Sequence, residues 1–235
     1  MQVKPGSSIK SGSSIWIVIA AYNEAAMIAQ VVAALVQRGH TVVAIDDGST
    51  DASGSIAGAA GAIVVTHSIN LGQGAALQTG IEFALQNGAE YIVTFDADGQ
   101  HRAGDIDALI AALQTRDADF ALGSRFRGGA VAMPLSRRLL LRAATWFTRA
   151  MTGLQVTDTH NGLRAMTRRG ASRIMLRQNR MAHASELLDQ IARSGLRHVE
   201  VPVTIEYSRY SLAKGQRVAD SVGILVDLSA QRLVR

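Results

Sequence analysis

The sequence predicts an α/β fold with a mostly parallel central sheet and helices on both of its faces. In its first half, short apolar runs typical of buried strands alternate with longer stretches that have the apolar spacing of a helix. The connections between these segments are short, and strand–helix–strand units of this kind form parallel sheets. Polar residues also follow each of the first predicted strands.

The elements of the first half follow one another regularly. Strands are predicted at residues 15–20, 41–47, 62–67 and 91–96. Helices are predicted at residues 24–39, 49–61 and 74–88; the second begins in a Ser/Thr/Asp cluster suited to capping, and the other two stop at a glycine.

The second half is less regular. Helices are predicted at residues 105–117, 137–152, 185–195 and 218–234, and strands at 119–126 and 196–208. A glycine-rich stretch at 127–136 is predicted to be a loop and is a candidate lid over a binding site. We find no internal repeat.

Length and composition predict a single domain. The chain has 235 residues, 48% of them hydrophobic, which suffices for a sizeable core. We expect residues 1–14 to be a flexible leader and residues 15–235 to form one domain with a C-terminal helix. The longest apolar run, residues 15–21, is too short to cross a bilayer, which takes about 20 residues. The sequence therefore predicts a cytoplasmic protein.

Charge and cysteine content exclude some classes of function. The absence of cysteine excludes disulfides and thiolate metal sites. The net charge of +5 favours an anionic partner, which is a phosphorylated small molecule, an anionic membrane face or nucleic acid. Because the arginines are scattered and no nucleic-acid-binding motif occurs, we expect no nucleic-acid partner.

The polar residues at the strand ends are predicted to meet in one place. In parallel sheets, ligands bind in the crevice outside the carboxyl ends of the strands. The residues expected at this edge are Tyr22, Glu24, Asp46, Asp47, Asn70, Asp96 and Asp98. Their convergence predicts a binding site there.

Asp96 and Asp98 are the candidate metal ligands. Carboxylates two residues apart fall on the same side of an extended chain, and Mg²⁺ or Mn²⁺ prefers such oxygen ligands together with substrate phosphate oxygens. Gln100 is a candidate third oxygen ligand. The alternative is a capped turn ahead of the helix at 105.

Four other candidate residues each have an ordinary structural alternative. Asp46 and Asp47 could accept hydrogen bonds from a nucleotide base or ribose, or could cap the helix at 49. Arg125 could bind a phosphate or form a surface ion pair. Glu186 could be a general base or an ordinary acid on a helix surface.

These segments together resemble a known family. IVIAAYNE, VVAIDDGSTD, NLGQGAALQTG, TFDADGQH, ALGSRF, DTHNGLRAM and VEVPVTIEY occur in the order found in glycosyltransferase family 2 enzymes with the GT-A fold. The chain is most similar to the dolichyl-phosphate mannose synthase-like group, over residues 15 to about 217.

The resemblance implies an inverting transfer of a sugar from a nucleoside-diphosphate sugar. It implies a nucleoside pocket formed by Tyr22, Glu24 and Asp47 with Asp46 beside them. It also implies that Asp96, Asp98 and Gln100 hold the metal and the diphosphate. We count Asn70 with the donor site, because its loop could place backbone amides near phosphate.

The acceptor implied by the resemblance is a polyprenyl phosphate or another cell-envelope glycan precursor. Arg125 would approach the diphosphate or the acceptor phosphate, and Lys214 is a candidate phosphate contact. A hydroxyl acceptor needs a base, for which Glu186 is the first candidate, whereas a phosphate acceptor needs none. The basic helix at 137–149 would then face anionic lipid, which implies peripheral contact with the inner face of the membrane or a membrane-protein partner.

Two other functions compete with this one. A nucleotidyltransferase needs a glycine-rich loop with a basic residue after the first strand, and AAYNEAA has neither. A non-catalytic or partner-dependent nucleotide-sugar-binding subunit of a polysaccharide complex would be marked by loss of the metal motif, whose residues are all present here.

Overall fold

A single eight-stranded sheet forms the centre of the protein. The computed structural model describes the backbone of Gln2–Val3 and the whole of residues 15–178 and 182–207. The strand order is β1-β4-β3-β2-β5-β7-β6-β8. The strands are β1 (Gln2–Val3), β2 (Ile15–Ala21), β3 (Thr41–Asp46), β4 (Ile63–Thr66), β5 (Tyr91–Thr94), β6 (Phe120–Val131), β7 (Arg164–Thr167) and β8 (His198–Glu206).

Helices cover both faces of this sheet, as predicted. They are α1 (Ile28–Gln37), α2 (Ser53–Ala59), α3 (Gln73–Gln86), α4 (Asp105–Thr115), α5 (Leu135–Thr152), α6 (Arg168–Ala171) and α7 (Ala182–Ser194). Residues of α1, α2 and α4 pack in one apolar core, and residues of α3, α6 and α7 pack in another. Alternate residues of β2 belong to the two cores, because successive side chains of a strand point to opposite faces.

The parallel part of the sheet is built on β2. This strand pairs in parallel with β3 on one side and β5 on the other, and β3 pairs in parallel with β4. The interior residues of β2 and β3 are almost completely buried, which explains their continuous apolar sequence. The carboxyl ends of these four strands therefore share one edge of the sheet.

A short antiparallel strand that sequence reasoning missed lies next to this parallel part. β7 is inserted between β5 and β6 and pairs antiparallel with both. Its first residue, Arg164, lies opposite Thr94, the last residue of β5. The hydroxyl of Thr94 donates to the carbonyl of Gly162 at 2.7 Å, which brings the segment before β7 to the carboxyl end of β5.

The prediction of a loop at 127–136 was wrong for its first half. Strand β6 continues to Val131, because β6 and β8 resume their parallel pairing after a register shift between Ser124 and Gly129. The main-chain hydrogen bonds to β8 therefore make this glycine-rich stretch a strand rather than a lid. The basic helix α5 begins soon after it, at Leu135.

Parts of the predicted leader and C-terminus fall outside the described residues. Gln2–Val3, within the predicted leader, pairs antiparallel with β4. The predicted helix at 218–234 and Lys214 lie outside the described residues. Among the helices that the structure describes, none has the length and apolar character needed to span a bilayer.

Candidate functional site

A cavity of about 690 Å³ opens at the carboxyl ends of the parallel strands. Most of the predicted site residues line it. Those lining residues are Tyr22, Glu24, Asp47, Asn70, Asp96, Asp98, Gln100 and Arg125. The structure therefore brings together side chains that are far apart in the sequence, as the parallel topology requires.

Asp47 lines the cavity and holds the loop after β4 in its wall. It is 2% exposed, and its carboxylate accepts hydrogen bonds from the backbone N–H groups of Leu71 at 2.9 Å and Gly72 at 2.7 Å. His67 Nδ1 lies 2.7 Å from the same carboxylate. Asp47 thus holds the loop after β4 in place, and it contributes to the cavity wall at the same time.

Glycine is required at position 48 because the backbone of the loop after β4 packs directly against it. A Cβ atom at this position would lie 2.6 Å from the backbone nitrogen of Asn70, and its φ of +70° suits glycine. The loops after β3 and β4 are therefore packed backbone against backbone.

Asp46 is the predicted nucleotide-binding residue that does not line the cavity. Its Oδ1 accepts from the backbone N–H of Ser49 at 3.1 Å, and its carboxylate lies against Gly54, where a Cβ would come within 2.4 Å of Oδ2. Asp46 thus closes the turn after β3 and does not cap α2, which begins at Ser53 with Ala52 at its N-cap, so the capping role that the sequence also allowed is wrong in detail.

The loop after β3 also positions the loop after β2. The hydroxyl of Ser49 accepts from the backbone N–H of Asn23 at 3.0 Å, and that of Ser53 accepts from the N–H of Glu24 at 2.7 Å. Tyr22 stands at the rim with 44% of its surface exposed. An exposed aromatic ring beside a carboxylate can stack on a base while the carboxylate accepts from it.

The two carboxylates after β5 have separate partners. His101 Nε2 lies 2.8 Å from Oδ2 of Asp96. Gln100 donates to Asp98 twice, from its backbone N–H to Oδ1 at 3.1 Å and from its side-chain amide to Oδ2. Each carboxylate is therefore held in one orientation toward the cavity.

The pKa values of the two acids are shifted in opposite directions. Burial acts to raise the pKa of Asp96, but the hydrogen bond and charge of His101 and the charges of Arg164 and His183 lower it below its ordinary value. Burial and the negative charge of Asp96 raise the pKa of Asp98. A cation between the two acids would relieve this repulsion.

The residues present fit a divalent metal whose remaining ligands come from a substrate. Asp96 and Asp98 supply carboxylate oxygens at the wall of a polar cavity. Within the part of the chain that the structure describes, no group of three or more His, Cys, Asp or Glu side chains could hold a metal by itself. Substrate phosphate oxygens and water would have to complete the coordination shell, as is usual for Mg²⁺.

Gly162 gives Asp96 the space that its position needs. A Cβ atom at Gly162 would lie 2.1 Å from Oδ2 of Asp96. The backbone before β7 thus passes directly over the carboxylate. This close approach could not be predicted from the sequence, because it depends on the antiparallel insertion of β7.

Arg125 is buried and bound on several sides. Its Nε donates to Asp158 at 2.6 Å, its Nη1 to the hydroxyl of Tyr207 at 2.6 Å, and its Nη2 to the carbonyl of His160 at 2.6 Å. A guanidinium has five N–H donors, so these contacts leave at most two for a ligand. The predicted ion pair is present, but it is buried rather than on the surface.

The cavity also contains cationic residues that sequence reasoning did not single out. Arg137, on α5, lines the cavity and lies over the ring of Tyr207, 5.1 Å from its centroid. Arg164 lines the cavity and is 4% exposed. His160 and His183 line it as well. The cationic end of the site could have been suspected only from the motif DTHNGLRAM, in which His160 and Arg164 lie close together.

Burial sets the charge state of His160. Burial lowers its pKa to about 4, the charge of Asp158 opposes this, and the charges of Arg164 and Arg125 add to the lowering. His160 is therefore neutral at pH 7. The positive charges of Arg125, Arg137 and Arg164, which line the same cavity, therefore do not depend on His160.

Glu186 does not line the cavity. Its Oε2 accepts from the backbone N–H groups of Arg177 at 3.0 Å and Gln178 at 2.9 Å. In this arrangement it holds the segment before α7 and is engaged by backbone donors. Lys214, the other candidate that remains, lies outside the described residues.

Similarity to solved structures confirms the predicted GT-A fold. The chain superimposes on glucosyl-3-phosphoglycerate synthase from Mycobacterium tuberculosis, crystallised with Mn²⁺, UDP-glucose and phosphoglyceric acid, with a TM-score of 0.70. The match covers 94% of this chain and 80% of that one, at 22% sequence identity.

Similarity to characterised sequences is higher. The chain is 32% identical to a UDP-N-acetylglucosamine–dolichyl-phosphate N-acetylglucosaminyltransferase of Methanococcus voltae, over 87% of this chain and 90% of that protein. It is also 32% identical to an undecaprenyl-phosphate mannosyltransferase of Micrococcus luteus, over 69% and 70% of the two chains. The profile described as glycosyl transferase family 2 matches residues 16–175. The chain therefore belongs to glycosyltransferase family 2.

Proposed function

We propose that this protein is an inverting, metal-assisted glycosyltransferase that moves a sugar from a nucleoside-diphosphate sugar to a polyprenyl phosphate or a related cell-envelope glycan precursor. The observation that carries the proposal is that carboxylates and arginines line one and the same cavity. Carboxylates after β5 lie beside it, and arginines line the same space. A diphosphate bound through a cation and an anionic acceptor bound by arginines would both fit such a cavity.

In this proposal the donor binds beside the residues that follow β2, β4 and β5. Tyr22 and Glu24 meet the base and ribose, and the loop held by Asp47 places Asn70 at the wall beside the phosphates. In support, these residues line one continuous cavity, and the loops that carry them are hydrogen-bonded to one another.

Asp96 and Asp98 would hold a Mg²⁺ or Mn²⁺ ion, with Gln100 orienting Asp98 through its two hydrogen bonds. When bound, the ion supplies charge neutralisation of the diphosphate as it leaves. The similar glucosyl-3-phosphoglycerate synthase was crystallised with Mn²⁺ and UDP-glucose, which supports a divalent ion here.

The reaction we propose is a single displacement. An oxygen of the acceptor phosphate attacks the anomeric carbon, the bond from that carbon to the diphosphate oxygen breaks, and the nucleoside diphosphate leaves. An acceptor phosphate is already anionic and needs no base. This agrees with the position of Glu186, whose carboxylate accepts from backbone N–H groups and does not line the cavity.

The acceptor class is supported by the relatives and by the surface. The relatives of Methanococcus voltae and Micrococcus luteus are named for dolichyl-phosphate and undecaprenyl-phosphate acceptors. Helix α5 exposes Leu135 (70%), Leu139 (59%) and Trp146 (72%), with arginines among them. We call these three residues, with Arg138 and Arg142, the α5 outer face.

Such a face fits peripheral contact with an anionic membrane, where apolar side chains enter the headgroup region and arginines pair with phosphates. Arg137 on the same helix lines the cavity, so the α5 outer face would bring a membrane-held acceptor close to it. We therefore propose that the protein works on the cytoplasmic surface of the membrane.

The test is a transfer assay with purified protein. UDP-, GDP- and dTDP-sugars are incubated with Mg²⁺ or Mn²⁺, with and without undecaprenyl phosphate, and the released nucleoside diphosphate is measured. We expect release that depends on the lipid and disappears with EDTA and in Asp98→Ala. Release independent of the lipid would overturn the acceptor assignment. Nucleotide binding without any release would favour the non-catalytic subunit.

A further inference from the structure

Arg164 is a buried cation without a strong protein partner. It is 4% exposed, and its one hydrogen bond runs from Nη2 to the carbonyl of Thr159 at 3.5 Å, the outer limit for such a bond. Within residues 15–178 and 182–207 it forms no ion pair. Most of its five N–H donors therefore have no acceptor in the described structure.

Arg125 provides the comparison within the same cavity wall. It is similarly buried, at 7% exposure, but it forms three side-chain hydrogen bonds of 2.6 Å and an ion pair with Asp158. A guanidinium removed from water needs such partners, because burial of an unpaired charge is costly. Arg125 has them, whereas Arg164 lies within the influence of the Asp96 and Asp158 charges but has no hydrogen-bonded carboxylate among the described residues.

The position of Arg164 indicates what would complete its contacts. It lines the cavity that also contains Asp96 and Asp98, and it starts β7 two residues after Gly162, which packs on Asp96. A phosphate oxygen bridging a cation on the acids and the guanidinium would satisfy both sides.

We propose that Arg164 is an anion-binding residue of the cavity, whose guanidinium receives a phosphate group of a substrate. The group is the diphosphate of the donor or the phosphate of the acceptor, since both have the same chemistry. The choice of these anions rests on the proposed function, whereas the need for an anion rests on the burial of Arg164 and on the N–H donors that have no acceptor among the described residues.

The experiment compares the wild-type protein with Arg164→Met and Arg164→Lys, and with Arg197→Lys as a control on the surface ion pair with Asp117. Calorimetry in the presence of Mg²⁺ measures binding of inorganic pyrophosphate, UDP and GDP. Steady-state assays measure the KM for undecaprenyl phosphate in detergent. Binding of Mn²⁺ alone is followed by electron paramagnetic resonance.

We expect Arg164→Met to weaken the binding of its anion by about tenfold or more, because a hydrogen-bonded charge is lost. Arg164→Lys keeps the charge but loses the planar guanidinium. Its affinity for the anion should therefore lie between that of Arg164→Met and that of the wild type. If the dissociation constants of pyrophosphate and nucleoside diphosphates rise, Arg164 meets the donor; if only the KM for the lipid rises, it meets the acceptor. Arg197→Lys should match the wild type.

The inference is overturned if both variants bind every anion with wild-type affinity, or if only Mn²⁺ binding changes, since Arg164 would then serve Asp96 alone. Should Arg164→Met fail to fold, Arg164→Lys decides by the same measures. A wild-type protein that binds pyrophosphate through Arg164 but no nucleoside diphosphate would overturn the proposed function and leave this inference standing. A wild-type protein that binds none of these anions overturns both.

Discussion

Asp158 accepts two hydrogen bonds from one residue, Arg125, through the same carboxylate oxygen. The side-chain Nε lies 2.6 Å from Oδ2 and the backbone nitrogen 3.1 Å from it. Both residues are buried, with 4% and 7% exposure. This buried ion pair thereby joins β6, next to its register shift, to the segment before β7.

Breaking this pair should destabilise the protein strongly. In Asp158→Asn the guanidinium of Arg125 stays buried without its counter-charge, and loss of one partner of a buried pair costs about 3–5 kcal/mol. Urea unfolding followed by circular dichroism measures the change. The control is Asp117→Asn, which removes the exposed ion pair with Arg197 and should have little effect. Equal unfolding midpoints for the two variants would contradict the assignment.

Gly162→Ala should damage the site more than the fold. The added methyl group would meet the Asp96 carboxylate at 2.1 Å and push it from its position, and a displacement of about 1 Å can cost about 100-fold in turnover. Sugar transfer and Mn²⁺ affinity are measured in parallel with thermal unfolding. Gly104→Ala is the matched control, because nothing lies within 4 Å of its Cβ position. Wild-type Mn²⁺ affinity in Gly162→Ala would show that the contact does not matter.

His160 should make stability depend on pH. Burial lowers its pKa in the folded protein to about 4, whereas its ordinary value is 6.5. Between pH 4 and pH 6.5 the imidazole binds a proton in the unfolded chain but not in the folded protein. The stability that depends on neutral His160 is therefore fully present above pH 6.5 and is lost as the pH falls toward 4. The loss amounts to about 3 kcal/mol.

The check for this pH dependence is urea unfolding of the wild type and His160→Gln at pH 7 and at steps down to pH 4.5. The difference between the two proteins isolates His160 from the other groups that titrate in this range. We expect the wild type to lose more stability than the variant as the pH falls. Parallel curves would disprove the buried neutral state of His160.

Glu186→Gln should leave turnover close to that of the wild type. Its carboxylate accepts from two backbone N–H groups, a role that the amide oxygen of glutamine can keep in part. If Glu186 were instead the base for a hydroxyl acceptor, turnover would fall by about 100-fold or more. Nucleoside diphosphate release, measured with the acceptor that supports turnover, distinguishes these outcomes, and Glu82→Gln on an exposed helix surface is the control.

The α5 outer face should bind vesicles that contain anionic lipid. Co-sedimentation with phosphatidylcholine, alone or mixed with phosphatidylglycerol, should detect binding only to the mixture, and added salt should weaken it. The double variant Leu139→Gln, Trp146→Gln should bind about tenfold more weakly, because two exposed apolar side chains are lost. Met175→Gln replaces an exposed apolar residue outside α5 and should bind normally. Unchanged binding of the double variant would locate the contact elsewhere.

The parallel part of the fold was predictable because its signals are local. Buried parallel strands have continuous apolar sequences, and the connections fix their order in space. The convergence of Tyr22, Asp47 and Asp98 at one edge follows from that topology alone. The structural role of Asp46 was only partly predictable, because the sequence indicated a helix cap and Asp46 instead closes the turn ahead of α2.

The remaining parts depend on long-range pairing. β7 has only four residues, begins with an arginine and runs antiparallel in a mostly parallel sheet, so no local pattern marks it. Without β7, neither the contact of Gly162 with Asp96 nor the place of Arg164 can be inferred. Likewise, the sequence of residues 127–131 favours a loop, and only pairing with β8 makes it a strand.

The hydrogen bonds that Asp47 accepts from Leu71 and Gly72 have a consequence for the kinetics of binding. The loop is already fixed by a buried carboxylate, so a ligand that docks against it need not select one loop conformation among many. Little conformational entropy of the loop is lost on association, and the rate of capture is not limited by loop folding. The part of the cavity wall that this loop forms is therefore preorganised for ligand binding.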